Sequence, residues 1–469
     1  MKKLFLFFTG LFFSFTVSSQ SCLPQGITFT TQAQIDSFPI NYPNCTQIEG
    51  TVEISGGDIT NLNGLNALTS VGDSLLIHDN DSLTSLTGLN NMTSIGGGLV
   101  IMNNPDLNSL TGMDSLISID EDFVIQGNDG LTNLTGLDNI TFIGGWLILV
   151  QNDALISITG LGSLTSISGP YIRENNSLTS LAGLQGLVSI DGLFISYNNA
   201  LNSLAGLEGL TIINGDFGLY GNPVLTSLSG LNNLTSIMGG SLTIAGNHLI
   251  NLTGLEGLTY IGGYLNVYEN QHLTSLTGLD NLVSIWWFLN ISGNPALTSL
   301  VGLEGLTSIG GSLMISDNPA LTSLTGLDNI DAGSIQWLTI FDNDSLSTCA
   351  VQSICNYLDN PNASVDIHDN ATGCNSPEEV DSACVHLAIG DLQNMPSFII
   401  YPNPTATTIT IQTPTDGLLS IFNTSGQQSL HQEITEPTTT IDVSGLKSGV
   451  YFVRMTGDKN VSVGKFIKQ

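Results

Sequence analysis

The residues of this sequence best suited to acid–base or metal chemistry are six histidines and 40 acidic side chains. A metal site would need ligands at a fixed spacing, and the histidines, at positions 78, 248, 272, 368, 386 and 431, form no such pair. A glycosidase would need two carboxylates a few Å apart in a cleft, which a uniformly repeating chain does not predict. Asp342-Asn343-Asp344 and the run 366–370 offer oxygen ligands for Ca²⁺, at a spacing that matches no calcium loop. We therefore predict no catalytic residues and no metal, with Ca²⁺ as the one cofactor left open.

The tetrapeptide Gly72-Asp73-Ser74-Leu75 is similar to the nucleophile motif of the GDSL esterases. In those enzymes the Ser attacks and an Asp-x-x-His segment supplies the base, but no Asp-x-x-His occurs in this chain. A later turn has Gly310-Gly311-Ser312-Leu313 in the same column. The tetrapeptide is therefore predicted to be structural.

These residues belong to a phrase of 23 or 24 residues that recurs twelve times, from the Gly-Leu pair at Gly64 to the one at Gly326. Self-similarity at such a period is typical of a solenoid, in which stacked coils bury one continuous core. Every turn also contains one Asn in a fixed column. The column is Asn80, Asn104, Asn128, Asn152, Asn175, Asn198, Asn222, Asn247, Asn270, Asn294, Asn318 and Asn343.

Each coil reads as LTSL, GL, LTSI, a Gly-Gly corner, LxI and an Asn corner. Its apolar residues alternate with Thr, Ser or a variable residue, which predicts short strands rather than helix. The Leu and Ile side chains are expected to point inward and to stack on their copies about 4.8 Å away. The Asn side chains are expected to bond the backbone of the turn and the Asn of the next coil.

The phrases LTSLxGL and LxIxxN resemble the receptor L-domain family of leucine-rich-repeat-like β-helices, found in insulin and epidermal growth factor receptor ectodomains and in bacterial surface proteins. The resemblance covers about Cys45 to Cys384. It implies an all-β fold, a right-handed β-solenoid of about 12 coils over residues 61–343. An N-terminal cap (21–60) and a Cys-rich C-terminal cap (344–384) would close its ends.

The N-terminal residues 1–20 are predicted to be a signal peptide. Lys2 and Lys3 precede an apolar run from Leu4 to Val17 and then small polar residues, with cleavage expected near Ser19 to Ser21. The alternative is a membrane anchor, but the run is shorter than the ~20 apolar residues of a spanning helix. No other segment is apolar enough, so the mature chain is predicted to contain no transmembrane segment.

The formal charge is −32, and loss of Lys2 and Lys3 leaves 40 acidic against 6 basic residues, or −34. Contacts with phosphate need Lys and Arg, yet Arg173 is the only basic residue between Lys3 and Lys447. Nucleic acid is therefore excluded as a predicted partner. The acidity is attributed to the solubility of a long exposed surface.

Six cysteines form two groups, which in an exported protein indicates disulfides. Cys22 and Cys45 are the expected first pair. Cys349, Cys355, Cys374 and Cys384 allow three pairings, among which the sequence does not choose. Their spacing does not match a zinc site.

From residue 397 the repeat is replaced by alternating strands that predict a small β-sandwich, after a linker at 385–396. The region 397–469 resembles the C-terminal sorting domain of the type IX secretion system of Bacteroidetes; the alternative is an ordinary Ig-like adhesive domain. The matching residues are Tyr401, Pro402, Asn403, Pro404, Gly449, Tyr451, Gly464 and Lys465, within YPNP, GVYFV and GKFIK. The resemblance implies contact with the type IX secretion machinery, removal of the tail, and release or anchoring at the cell surface.

The outward positions of the LxI strand are the part of the phrase that varies, whereas other outward positions are mostly Thr and Ser. A variable apolar and aromatic face indicates a contact surface. The candidate binding residues of this face are Leu76, Val100, Val124, Ile148, Phe194, Tyr220, Tyr268, Met314 and Phe341. Trp286 and Trp287 are further candidates, because they occupy a corner where the other turns have Gly-Gly and exposed aromatic residues suit sugar or protein contact. We therefore predict a secreted or surface-anchored, non-enzymatic protein that binds an extracellular protein or glycan. The alternative is a structural spacer without a ligand.

Overall fold

The computed structural model describes residues 20–384, 399–412, 417–423, 427–456 and 461–469. The chain divides into two units, Met1–Asp381 and Ser382–Gln469. The predicted signal peptide, apart from Gln20, and the predicted linker at 385–396 lie outside the described residues.

The first unit is a β-solenoid built on one long parallel sheet of fifteen strands. Each coil adds one strand, which pairs in register with the equivalent strand of the coils before and after it. The strands, in spatial order, are β2 (Ile27–Phe29), β4 (Val52–Ile54), β6 (Leu75–His78), β8 (Leu99–Met102), β10 (Phe123–Gln126), β12 (Trp146–Val150), β13 (Gly169–Arg173), β15 (Leu193–Ser196), β17 (Phe217–Tyr220), β19 (Leu242–Ala245), β21 (Leu265–Tyr268), β23 (Leu289–Ser292), β25 (Ser312–Ser316), β26 (Trp337–Asn343) and β27 (Ser364–Asn370).

The LTSI part of the phrase forms the strands of two shorter parallel sheets, each with six strands. The first contains β1 (Ser21–Cys22), β3 (Gln47–Ile48), β5 (Ser70–Val71), β7 (Ser94–Ile95), β9 (Ser118–Ile119) and β11 (Phe142–Ile143). The second contains β14 (Ser189–Ile190), β16 (Ile212–Ile213), β18 (Ser236–Ile237), β20 (Tyr260–Ile261), β22 (Ser284–Ile285) and β24 (Ser308–Ile309). Between the two short sheets, Ser166 pairs with Phe142 as an isolated bridge rather than as part of a strand.

The solenoid has more coils than the twelve that the phrase predicts, because the regions predicted as caps also stack on the sheet. Strands β2 and β4 extend it at the N-terminal end, and β27 extends it at the C-terminal end. The coils of β2 and β27 lack the repeated phrase, and the coil of β4 carries Val52-Glu53-Ile54 in the LxI position without the Asn corner, so the Asn column did not reveal them. Short 3-10 helices occur at Asn63–Leu65, Thr159–Leu161 and Ala332–Ser334.

Helices and disulfides lie at the two ends of this unit. Helix α1 (Gln32–Asn41) begins with a capping box between Thr31 and Gln34 and buries Ile35 and Phe38. Helix α2 (Gln352–Leu358) follows the last regular coil, and residues 377–384 are also helical. Disulfides join Cys22 to Cys45 and Cys349 to Cys374. Cys355 and Cys384 are likewise disulfide-bonded.

The core consists of stacked Leu and Ile columns, as the alternating pattern predicts. In β6, Leu75 and Ile77 are completely buried, whereas Leu76 and His78 remain partly exposed. The same alternation recurs in β8 and β10. A single coil could not bury these side chains, so the hydrophobic stabilisation comes from contact between coils.

The second unit contains two antiparallel sheets around a shared core, which agrees with the predicted β-sandwich. One sheet contains β28 (Ile399–Tyr401), β29 (Thr408–Gln412) and β32 (Thr438–Asp442). The other contains β31 (Gln428–Ile434), β30 (Gly417–Asn423), β33 (Gly449–Thr456) and β34 (Val461–Lys468). Ile409 and Ile411 of the first sheet are buried in one cluster with Leu419, Ile421 and Val453 of the second.

Candidate functional site

The outer face of the long sheet is formed by the strand residues that point away from the core. In-register pairing brings equivalent residues of successive coils into straight rows, with a spacing of about 4.8 Å. Three such rows cross the sheet, and we name them by their order along each strand. The first row is Ser74, Gly98, Asp122, Trp146, Gly169, Gly192, Asp216, Ser241, Tyr264, Phe288, Ser312 and Trp337. The second row is Leu76, Val100, Val124, Ile148, Tyr171, Phe194, Gly218, Thr243, Asn266, Asn290, Met314 and Thr339. The third row is His78, Met102, Gln126, Val150, Arg173, Ser196, Tyr220, Ala245, Tyr268, Ser292, Ser316 and Phe341.

The candidate residues named from the sequence fall in three different places. Leu76, Val100, Val124, Ile148, Phe194 and Met314 lie in the second row, and Tyr220, Tyr268 and Phe341 lie in the third. Trp286 and Trp287 lie in neither, because they occupy the corner before β23. Sequence reasoning missed the first row and omitted Tyr171 from the second.

In the N-terminal half of the outer face, the second row forms an apolar strip. Leu76, Val100, Val124 and Ile148 are consecutive in the second row, and each is partly exposed. Met102, next to Val100 along the strand, adds to it from the third row. Aliphatic side chains that remain half-exposed and contiguous are typical of contact surfaces.

Aromatic rings cover the middle of the outer face. The ring of Phe194 lies 5.9 Å from that of Trp146 and 6.2 Å from that of Tyr171. Gly218 follows Phe194 in the second row. A Cβ on Gly218 would lie 2.5 Å from a ring carbon of Tyr220 and 2.9 Å from one of Phe194, so neighbouring rings fill this gap. Burial raises the pKa of Tyr220 above its ordinary value.

Arg173, the one basic residue of the repeats, forms an ion pair and a cation–π contact on this face. Its guanidinium contacts Glu174 at 2.7 Å and lies 5.6 Å from the centre of the Tyr197 ring. Hydrogen bonds to Tyr171 and Glu174 raise its pKa further above the ordinary value. Its charge is therefore neutralised within the protein.

The C-terminal half of the outer face contains a cleft, which we call the aromatic slot. It has a volume of about 270 Å³ and is lined by Trp287, Phe288, Gly311, Ser312, Gln336 and Trp337. Three of these lie in the first row, where Ser312 separates Phe288 from Trp337. Trp287 and Trp337 are 59% and 53% exposed, whereas large aromatic side chains usually lie buried. Trp286, beside the slot, is 64% exposed.

Ser74 and His78 each contact other groups rather than one another. Ser74 Oγ lies 3.4 Å from Asp73 Oδ1 and accepts a hydrogen bond from the backbone of Gly98. His78, on the same strand, contacts the carboxylates of Asp79 and Glu53 instead. Ser74 therefore has no histidine base among its described hydrogen-bond partners.

At the acidic corners that offer oxygen ligands for Ca²⁺, the Asn side-chain amides donate hydrogen bonds to the backbone. Asn343 donates from Nδ2 to the backbone oxygens of Ile315 and Phe341, and Asn370 donates to that of Ile340. His368 contacts Asp366 and Asp369. Within the described ranges, no group of three or more His, Cys, Asp or Glu side chains is placed to hold a metal ion.

The residues of the predicted sorting motif are tied to the last strand of the second unit. Asn403 Oδ1 accepts a hydrogen bond from Ile467 N at 2.9 Å, and its Nδ2 donates to Lys465 O at 3.1 Å. Thr405 N donates to Ile467 O, and Gln469 N donates to Thr405 O. The Tyr401–Pro402 and Asn403–Pro404 peptide bonds are both cis. Through Asn403, the YPNP segment is hydrogen-bonded to the terminal strand β34.

Both units match known families. Residues 44–135 match the family described as Receptor L domain, and residues 399–469 match the secretion system C-terminal sorting domain. The chain is a β-solenoid, part of which matches the receptor L domain, followed by a C-terminal sorting domain. No curated protein matches the chain.

The sorting domain indicates the destination of this β-solenoid protein. It indicates export by the type IX secretion machinery to the cell surface or the medium. Of the helices in the described part of the chain, none has the length and apolar character to cross a membrane. Neither the receptor L domain nor the β-solenoid is an enzymatic family.

Proposed function

We propose that this protein is a non-catalytic binding or adhesion protein, which recognises an extracellular protein or glycan through the outer face of the long sheet. The observation that carries the proposal is the composition of that face. Its three rows hold apolar and aromatic residues that differ from coil to coil, on a backbone that does not change. A rigid sheet presents such residues with little ordering cost on binding.

The apolar strip is the expected centre of the contact. Val100, Val124 and Ile148 are aligned in neighbouring strands and partly exposed, so a partner that covered them would remove apolar surface from water. A recognition role without catalysis is also supported by Ser74 and His78, which form no nucleophile and base pair.

The test compares the full chain with a Val100→Asp, Val124→Asp, Ile148→Asp variant on arrays of glycans and of purified extracellular proteins. The matched control is Thr84→Asp, Asn108→Asp, Thr132→Asp, which adds the same charge at exposed positions outside the outer face. We expect the face variant to lose binding by roughly 30-fold or more, the effect of removing an interface hot spot, and the control to bind as the parent does. Circular dichroism establishes that all three remain folded.

Equal binding by the parent and the face variant would remove the outer face from consideration. If the parent bound no array component, the solenoid would instead be a structural spacer. The spacer alternative is supported by the outward positions outside the outer face, which are mostly Thr and Ser.

A further inference from the structure

We propose that the aromatic slot binds one pyranose ring of a neutral glycan. The inference deepens the proposed function, since it names a ligand class and a location on the same protein. It rests on an interruption of the first row, in which three of the last four residues are aromatic. Tyr264, Phe288 and Trp337 are these residues, and Ser312 is the interruption.

The spacing of the first row is suited to stacked rings. The rings of Tyr264 and Phe288, in adjacent coils, are stacked at 4.6 Å with only 9° between their planes. Phe288 and Trp337 are two coils apart, which separates their backbones by ~9.6 Å. Ser312, between them, has too small a side chain to occupy the space of a ring. One ring of a ligand placed between Phe288 and Trp337 would stack at an interval like that between the rings of Tyr264 and Phe288.

The composition of the slot selects the chemistry of that ring. None of the residues that line it is ionisable, although the chain has 40 acidic side chains. A neutral ligand with apolar faces and a polar edge fits such a lining, and a saccharide ring has both. Trp287 and Trp337 offer amphipathic indoles, and Ser312 offers a hydroxyl.

The polar wall of the slot is held in place by the protein. Gln336 Nε2 donates to Gly310 O at 2.8 Å, and Gln336 N donates to Gly311 O at 2.9 Å. Tyr357 donates from its hydroxyl to Gln336 O at 3.0 Å. A fixed amide at the edge of an aromatic cleft orients a ligand at low entropic cost.

A second gap in the first row shows the contrasting case, in which the protein fills the space itself. Gly169 and Gly192 follow Trp146, and the indole of Trp146 lies over both of them. A Cβ on Gly192 would lie 2.7 Å from Cη2 of that indole. At Ser312 the cavity remains open, at a volume near the lower limit of ~300 Å³ for small-molecule sites. The size suits a single sugar residue.

The test is calorimetric titration of the full chain with the methyl glycosides of glucose, galactose, mannose and N-acetylglucosamine. Tetramethylammonium and N-acetyltryptophanamide serve as a cationic and an aromatic probe of the same slot. We expect a Kd of ~1 mM for at least one glycoside. Trp337→Ala and Ser312→Phe should weaken it at least ~10-fold, the first by removing a wall and the second by filling the slot.

The matched control is Phe142→Ala, which removes an aromatic side chain that is 41% exposed and does not line the slot. It should bind the glycoside within about twofold of the parent, an effect near the ordinary limit for surface substitutions. Because Ser312→Phe adds a ring beside Phe288 and removes only a hydroxyl, it tests the slot independently of any aromatic loss. Thermal unfolding of each variant verifies the fold.

Absence of heat with every glycoside at ~10 mM, tenfold above the expected Kd, would overturn the inference. So would binding by Ser312→Phe equal to that of the parent, or binding of the cationic or aromatic probe alone. The Val100→Asp, Val124→Asp, Ile148→Asp variant keeps the slot intact and should retain glycoside binding. A failure of the proposed outer-face contact is thereby distinguished from a failure of the slot.

Discussion

Asn128 Oδ1 accepts a hydrogen bond from the backbone N–H of Asn104, the equivalent residue of the preceding coil, at 3.1 Å. The same oxygen accepts from Asn104 Nδ2 at 3.1 Å. Asn128 Nδ2 in turn donates to the backbone oxygens of Ile101 and Gln126. Both side chains are completely buried. Each Asn therefore satisfies polar backbone groups that no water reaches, and it links its coil to the coils on either side.

Removal of one step of this ladder should be costly. Asn128→Ala would leave the N–H of Asn104 and the carbonyl of Gln126 without these partners in a buried corner, at about 3 kcal/mol of unfolding free energy. Asn199→Ala is the control, because Asn199 donates to Asn176 on the exposed surface and its loss should cost less than about 0.5 kcal/mol. Urea denaturation of both variants measures the difference. Similar values for the two would show that the ladder contributes nothing beyond an exposed amide pair.

The ladder and the Leu columns could be predicted from sequence because identical coils force identical residues into contact. Asn occupied its column in all twelve repeats, and a buried corner with repeated N–H groups needs such a side chain. The outermost coils could not be predicted in this way. Strands β2 and β27 carry ITF and SVDIHDN rather than the LxI phrase, and only their pairing with β4 and β26 identifies them as coils.

A glycine of the repeated Gly-Leu pair should tolerate no side chain. Gly278 has φ of +112°, and a Cβ there would overlap the backbone oxygen of Leu252 in the preceding coil. Gly278→Ala should therefore destabilise the solenoid by more than the ~1 kcal/mol typical of a strained backbone position, because two coils would have to separate. In Gly57→Ala the new methyl group would meet only a side-chain atom of Asp81, at 3.6 Å. Thermal unfolding should show a clear decrease in Tm for Gly278→Ala and little change for Gly57→Ala.

His78 should make stability at the N-terminal end of the outer face depend on pH. Partial burial lowers the pKa of His78, but hydrogen bonds to Asp79 and Glu53 outweigh it and raise the pKa above 6.5. The folded state thus binds the proton more tightly than the unfolded state. The stabilisation is complete below pH ~6.5 and is lost as the pH rises through the raised pKa. Its size should not exceed about 1 kcal/mol at this partly exposed site.

A comparison with Glu53→Gln identifies the cause of this pH dependence. NMR titration should give a His78 pKa above 6.5 in the parent and a lower one in the variant, which lacks one of the two carboxylates. Unfolding free energy measured from pH 6 to pH 8 should decrease more for the parent than for His78→Gln. An unchanged His78 pKa in Glu53→Gln would show that Asp79 alone sets it.

The first row of the outer face could not be predicted from the sequence, because its residue types differ from coil to coil. Its members include Gly, Ser, Asp and aromatic residues, so no single residue type marks the column. The coil after Gly326 also has one residue more than the coil after Gly302 before its LxI strand, which conceals the alignment of Trp337 with Ser312. Strand pairing resolves this register, whereas composition and periodicity do not.

Asn403 should be needed for a stable terminal strand in the sorting domain. Asn403→Ala would remove its hydrogen bonds with Ile467 N and Lys465 O and weaken the attachment of β34, by about 1 kcal/mol for two exposed bonds. Because β34 also pairs with β33, the domain should remain folded but lose thermal stability. In cells with a type IX system, we expect less protein at the surface and in the medium, and more in the periplasm. Gln432→Ala, at an exposed position of β31, is the control. Normal export of a destabilised Asn403→Ala variant would show that recognition does not depend on the attachment of this strand.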